Sequence, residues 1–199
     1  MKSKIFGAAI LAAGFSTRFD GEKLETKLGN RSLLQWVIDT VSNSCVNKAA
    51  VIGNETLTKE RFDIKRLHVI VNEKPEKGIS RSVFLALNWA INNGIDGLFL
   101  TMGDMPFIEP EDFKMLIDKS EYYSNSVISC SYKNNKGFPT LIPKKYFYLK
   151  NDLEGDTGFS KIIKKHRLPH KLIERTWRNV FDVDSQEDFQ KAKELLKYV

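Results

Sequence analysis

The chain has 199 residues, 42% apolar and 28% charged, a balance that supports one sizeable folded core and excludes wholesale disorder. Its 31 basic and 25 acidic side chains leave a net charge of +6, which suits an acidic small-molecule substrate; no aromatic-basic surface motif accompanies it, so no nucleic-acid partner is expected. Two cysteines without metal-ligand spacing, Cys45 and Cys130, exclude a disulfide frame, and no apolar run reaches the ~18 residues of a membrane span, so a cytoplasmic protein with reduced thiols and no membrane partner is expected.

No linker or low-complexity tract divides the chain, so residues 1–199 are expected to form one domain. Met1-Lys2-Ser3-Lys4 ahead of Ile5 to Ala13 mimics a signal peptide. The turn at Gly14 to Arg18, however, requires the preceding stretch as a buried strand, and Ile5 to Leu11 is read that way. Ser32 and Gln35 have capping-box spacing and open a helix with Leu33, Leu34, Val37, Ile38 and Val41 at helical intervals. Lys48 to Ile52 and Leu67 to Val71 are β-branched runs, predicted as strands. From Ser82, the set Val83, Ala86, Leu87, Ala90 and Ile91 marks a second helix, ending near Asn93-Gly94.

Gly97 to Met102 is the next apolar strand, closed by Gly103-Asp104. Pro110 with Glu111 and Asp112 has the chemistry of a helix first turn, followed by Phe113, Leu116 and Ile117. Ser126 to Ser131, Thr140 to Ile142 and Asn179 to Val183 are predicted strands, Gly155 to Ile163 a turn and short helix. The last helix carries Phe189, Ala192, Leu195 and Leu196 on one face. Strands alternating with helices predict a mostly parallel sheet covered on both sides. In such sheets ligands sit beyond the carboxyl ends of the strands, which directs attention to the loops after Leu11, Val71 and Met102.

The first of these loops reads Leu11-Ala12-Ala13-Gly14-Phe15-Ser16-Thr17-Arg18, then Gly21 and Lys23. Small residues at 12 to 14 let backbone N–H groups approach an anion, and Arg18 and Lys23 add charge suited to triphosphate oxygens. The segment lacks the second glycine of a dinucleotide fingerprint, the Gly-Lys-Ser/Thr of a P-loop and the closing glycine of a nucleophile elbow. Hydride transfer, Walker-type ATP hydrolysis and serine hydrolysis lose support accordingly.

Leu11-Ala-Ala-Gly-x-Ser-x-Arg with a lysine five positions beyond Arg18 resembles the signature loop of the nucleotidyltransferases that include molybdenum cofactor cytidylyltransferase. The resemblance continues in order through Asn72 with Gly78-Ile79-Ser80-Arg81-Ser82, Gly103-Asp104-Met105-Pro106, Gly137-Phe138-Pro139, Gly155-Asp156-Thr157-Gly158, and Asp182-Val183-Asp184-Ser185 with Asp188. It implies a single Rossmann-like three-layer α/β/α nucleotidyltransferase domain with a mostly parallel sheet. The partners it implies are a nucleoside triphosphate (CTP or GTP) and a phosphorylated small-molecule acceptor; a monomer or small homo-oligomer is expected.

By the same resemblance Arg18, Lys23 and Asp104 are the catalytic candidates. Leu11, Ala12, Ala13, Gly14, Ser16, Asn72, Gly78, Ser80, Ser82 and Gly103 would hold the nucleotide, and Pro139 and Asp156 would lie towards the acceptor. Asp104, with Asp184 or Asp182 as second ligand, would hold Mg²⁺, a hard cation suited to carboxylates.

Each assignment has a plainer alternative. Asp104 is also a turn residue in a Gly-Asp pair. Asp184 precedes Ser185, an expected N-cap with Asp188 three residues on, Ser80 and Ser82 are also suited to start a helix, and Asn72 to end a strand. Leu-Ala-Ala-Gly, against Leu-Ala-Gly-Gly, is similar to the loop of the CTP users, and the Ala13 methyl leaves less room for a purine. Departures from the pattern, Phe19, Asp20, Glu25-Thr26 and Phe159-Ser160, bear on the acceptor rather than on the nucleotide chemistry. His68, His166 and His170 lack zinc spacing and are read as surface or packing residues, and most of the basic tract Lys161 to Arg178 as a solvated face.

Overall fold

The computed structural model describes residues 3–14, 19, 22–55, 57, 62–64 and 67–198. In chain order the elements are β1 (Phe6–Ala12), a short hairpin of β2 (Lys27–Leu28) and β3 (Arg31–Ser32), α1 (Leu33–Asn43), β4 (Lys48–Gly53) and β5 (His68–Val71). Then come α2 (Ile79–Asn92), β6 (Gly97–Met102), α3 (Pro110–Tyr122), β7 (Val127–Tyr132), β8 (Asn135–Pro143), α4 (Phe159–Lys165), β9 (His170–Glu174) and α5 (Gln186–Leu195).

Seven strands form one sheet in the order β5-β4-β1-β6-β8-β7-β9. β1 lies between β4 and β6, parallel to both, with Ala9 opposite Ala50 and Leu100. Its apolar run is buried from both faces, which is why it reads as continuous rather than alternating. One face carries α1 and α3 over Leu34, Val37, Phe99 and Phe113; the other carries α2 and α4 over Val83, Leu87, Phe147 and Phe159. A third cluster, with Leu28, Leu33, Phe107, Val183 and Phe189, packs α5 against the base of the β2–β3 hairpin. The expected three-layer α/β/α arrangement with a mostly parallel sheet is what forms.

The helix starts follow their caps. Ser32 accepts a bond from the Gln35 backbone N–H at 3.3 Å. Glu109 and Asp112 form a reciprocal capping box around Pro110, and Ser185 and Asp188 do the same for α5.

Three expectations need correction. β8 runs from Asn135 rather than Thr140; within the mostly parallel sheet it is antiparallel to β6 and β7, because Lys133 and Asn134, at φ 49° and 66°, turn the chain back in a tight hairpin. α2 begins at Ile79, ahead of Ser82, with Gly78 as its cap. Asn179 to Val183 makes no ladder; a 3-10 turn (Trp177–Asn179) precedes it, and the last strand is β9, parallel to β7 at the sheet edge. β9 is hidden in sequence because its exposed side chains include Lys171 and Glu174 within the basic tract.

Candidate functional site

β1, β5 and β6 deliver their loops to one end of the sheet. The end of β6 is tied to that of β1 by Gly103 N–H donating to the Leu11 carbonyl at 2.9 Å. A Cβ at Gly103 would lie 3.1 Å from Leu34 and 3.2 Å from Ala12, so small residues at 12 and 103 let the two strand ends close together and present Asp104 beside the first turn.

There a cavity of ≈ 550 Å³ opens, walled by Leu11 to Gly14, by Lys23 and Leu24, by Met102 and Asp104, and by Asp156 and Asp184. Pro75, Glu76, Gly78, Ile79 and Ser82 close the side at the start of α2. Ten sequence-nominated residues therefore meet on one surface: Leu11, Ala12, Ala13, Gly14, Lys23, Gly78, Ser82, Asp104, Asp156 and Asp184.

The other described ones fall outside this wall. Asn72 is buried behind it, its Nδ2 donating to Ser82 Oγ at 3.1 Å and its Oδ1 accepting from the Lys74 N–H. Ser80 Oγ donates to the Lys77 carbonyl. Pro139 is buried within β8 after a cis bond from Phe138. Arg18 and Ser16, like Asp20, lie outside the described residues. Glu76, Leu24, Pro75, Ile79 and Met102 were not nominated; nothing in their local spacing marks them, and the folded approach of the α2 start brings in Pro75, Glu76 and Ile79, while Leu24 and Met102 follow from their neighbours Lys23 and Asp104.

The centre of the site is an ammonium between two carboxylates. Lys23 Nζ donates to Asp104 Oδ2 at 2.7 Å and to Asp184 Oδ1 at 3.2 Å. Burial works against the charge on Lys23, but Asp104 and then Asp184 outweigh it, and its pKa is raised. Val183 N–H donates to the Asp104 carbonyl at 3.0 Å, which fixes the segment bearing Asp184 against the β6 loop. Asp184 also belongs to the α5 cap, its N–H donating to Asp188 Oδ2 at 3.2 Å, so the two readings of this residue coexist. Asp182 is exposed and is not among the residues that line the cavity; packing around its carboxyl, then Asp184 and Asp104, push its pKa up.

Among the described lining residues, Glu76, Asp104, Asp156 and Asp184 face a single cation, Lys23. Asp104 Oδ1 is buried with no hydrogen-bond partner. An orphaned carboxylate oxygen calls for a cation or donor, since leaving it bare is costly. No group of three or more His, Cys, Asp or Glu side chains forms a ready metal cage among the described residues. The donor set nonetheless fits Mg²⁺, which commonly binds through one or two carboxylates with substrate phosphates completing its shell.

The remaining nominated basic residues have structural work. Arg175 Nε donates to buried Asp112 at 2.7 Å, and Arg178 pairs with Glu109 at 3.0 Å. Asp112 opposes burial of Arg175 by hydrogen bond and charge, and the Arg175 pKa is raised. His170 bonds Ser129 at 2.9 Å and His166 bonds Asp152 at 2.7 Å, in keeping with packing roles. No helix among the described residues is long and apolar enough to cross a membrane.

Known proteins share this architecture. The crystal structure of Rv0371c from Mycobacterium tuberculosis H37Rv superposes with a TM-score of 0.86 at 22% identity, covering 98% of this chain and 100% of that one. A manganese complex of Rv0371c superposes at 0.80, with 19% identity over 96% and 99% of the two chains. A probable molybdenum cofactor guanylyltransferase from Thermococcus sibiricus is 26% identical over 94% of this chain and 97% of its own length. The bifunctional protein GlmU of Thermosipho melanesiensis is 27% identical over 94% of this chain, which spans only 35% of that protein. Residues 8–171 match the MobA-like NTP transferase domain, and with the strand-end cavity they fall on, the chain belongs to that nucleotidyltransferase family.

Proposed function

We propose that this nucleotidyltransferase moves a cytidylyl group from CTP to a phosphate-bearing acceptor, molybdopterin, and releases pyrophosphate. The observation that carries the reading is Lys23 held between Asp104 and Asp184 on the wall of a cavity that opens onto the small-residue turn Leu11 to Gly14.

In this reaction an oxygen of the acceptor phosphate forms a bond to the α-phosphorus, and the bond from that phosphorus to the β-bridging oxygen breaks. No general base is needed, because a phosphate nucleophile is already ionised at neutral pH. Both reactants are polyanions, so the protein's task is to hold them in line and to offset charge on the leaving group. Backbone N–H groups of the first turn approach the phosphates, and Lys23, with Arg18, serves the β- and γ-phosphates. Ser82, oriented by Asn72, and Gly78 face the nucleoside. Asp156 and Pro139 belong to the acceptor side. Asp104 with Asp184 or Asp182 would hold Mg²⁺, which when bound would neutralise phosphate charge in a cavity whose described lining has four carboxylates and one lysine.

The choice of CTP rests on Ala13, buried on the cavity wall, whose methyl narrows the base end. Guanylyl transfer is the second reading, favoured by the name of the Thermococcus relative. Pyrophosphate release with molybdopterin and each of CTP, GTP and UTP separates them. CTP is expected to lead GTP by about tenfold or more in kcat/KM, the scale on which one shape mismatch discriminates. A GTP preference passes the assignment to the second reading. Turnover with a sugar or polyol phosphate and none with molybdopterin removes the acceptor assignment.

A further inference from the structure

A second cavity lies behind the loop that carries Asp156. Its volume is ≈ 380 Å³, and it is bounded by Lys77, Ser80, Arg81 and Phe84 from the start of α2 and by the segment Leu153 to Gly155. Two cations converge on one ring here: the Arg81 guanidinium lies 5.2 Å from the Phe84 centroid, and Lys150 Nζ lies 4.5 Å from it. Arg81 Nε is buried and has no hydrogen-bond partner. Lys77, Arg81 and Lys150 form no ion pair with any described residue, although Arg175, Arg178 and Lys165 elsewhere each find a carboxylate. Glu154 is the single acid on the wall.

The ring face attracts each cation but cancels neither charge, and a buried guanidinium nitrogen without an acceptor is unsatisfied. The planar fork of guanidinium N–H donors matches two oxygens of a tetrahedral oxyanion, which makes arginine a selective phosphate ligand. Phe84 and Leu153 add an apolar wall that inorganic phosphate would not use. The recess is sized for a small molecule rather than a polymer surface.

We infer that this cavity is a second ligand site, taking the phosphate group of a small organic phosphate. The site is coupled to the nucleotide cavity through the loop between them. Ser80 N–H donates to the Gly155 carbonyl and Ile79 N–H to Asp156 Oδ1, both at 3.3 Å. Gly155 bounds the second cavity and Asp156 the first, so a ligand that shifts this loop acts on both. By linkage, binding at either site alters affinity at the other by one common factor.

The test is a titration of the full chain with phenyl phosphate and with inorganic phosphate, followed by backbone amide NMR. Saturating shifts are expected at residues 80, 81 and 153–156, with phenyl phosphate binding more tightly than inorganic phosphate. Arg81→Gln combined with Lys150→Gln should weaken binding by about tenfold or more, as loss of charge-assisted contacts predicts. Lys77→Gln, at an exposed position that does not endanger folding, should weaken it in the same direction. Lys23→Met, which alters only the first cavity, should leave these shifts in place. The proposal is overturned if residues 80, 81 and 153–155 fail to shift, if the Arg81, Lys150 and Lys77 variants bind as the parent does, or if Lys23→Met abolishes the shifts. Equal affinity for the two phosphates overturns the organic ligand.

Discussion

Lys23 bridges two carboxylates that would otherwise repel, and under the proposed function the same ammonium serves the phosphates. A divalent cation at Asp104 and Asp184 competes with that ammonium. Lys23→Met is therefore expected to bind Mn²⁺ in the absence of nucleotide about tenfold more tightly than the parent, as removal of one charged competitor implies. Electron paramagnetic resonance of free Mn²⁺ measures this, and weaker binding in the variant would contradict the arrangement. Its pyrophosphate release should nonetheless fall by about 10²-fold, since the phosphates lose a preorganised charge.

A second residue-scale effect belongs to Lys136, hydrogen-bonded to Ser160 beneath α4. Burial, and then Lys164, lower its pKa from 10.5 to about 8. The unfolded chain keeps this proton up to about 10.5 while the folded chain sheds it near 8, so the group's contribution to stability rises with pH across that window. Lys136→Met removes the charge penalty and should stabilise the fold at pH 7 by on the order of 1–2 kcal/mol. Its unfolding free energy should also lack the parent's extra rise between pH 8 and 10.5; urea denaturation at several pH values reads both. At this scale Lys23 and Asp104 were legible in the sequence because their charges flank a small-residue strand end. Lys136 was not, because its surroundings include Ser160 of α4, 24 residues along the chain.

Among the elements, the β6 loop, β8 and the segment before α5 are locked by one buried carboxylate. Asp112 accepts from Arg175 Nε and from Asn179 Nδ2, each at 2.7 Å, and from the Glu109 N–H at 3.0 Å. Asn179 Nδ2 also donates to the Phe138 carbonyl at 2.9 Å. Asp112→Ala strands Arg175 and Asn179 and is expected to cost on the order of 3 kcal/mol, measurable by denaturant unfolding. A loss below about 0.5 kcal/mol, ordinary for a surface change, would contradict this. Gly78 has a comparable role on the other wall: its φ is 78°, and a Cβ would meet Asp156 Cα at 2.8 Å. Gly78→Ala should displace Asp156, raising KM more than it lowers kcat.

The sequence announced Asp112 only as an ordinary helix-start acid, and its partners are 63 and 67 residues away. Elements with periodic apolar faces and caps, such as α1, α3 and α5, were legible. β9 and the direction of β8 were not, because edge strands carry charge and strand direction depends on the Lys133-Asn134 turn.

At the scale of the molecule, a chain of net charge +6 has at its strand ends a cavity in which the described charged residues are four acids and one lysine. Among the described residues the positive excess lies elsewhere, so bulk charge gave no guide to this cavity, whereas the order of strand-end loops did. Triphosphate and Mg²⁺ together should stabilise the fold, by about 2.7 kcal/mol at a hundred times Kd. Triphosphate alone should do so less, because the carboxylates then oppose it.

The most direct test of the account compares acceptor-dependent pyrophosphate release by the parent and by Asp104→Asn, at saturating triphosphate and Mg²⁺. Loss of the carboxylate is expected to lower the rate by about 10²–10³-fold, the scale of a lost transition-state charge partner, with cooperative unfolding retained. An Asp104→Asn protein that turns over at the parent's rate would show that the end of β6 does not anchor the reacting phosphates.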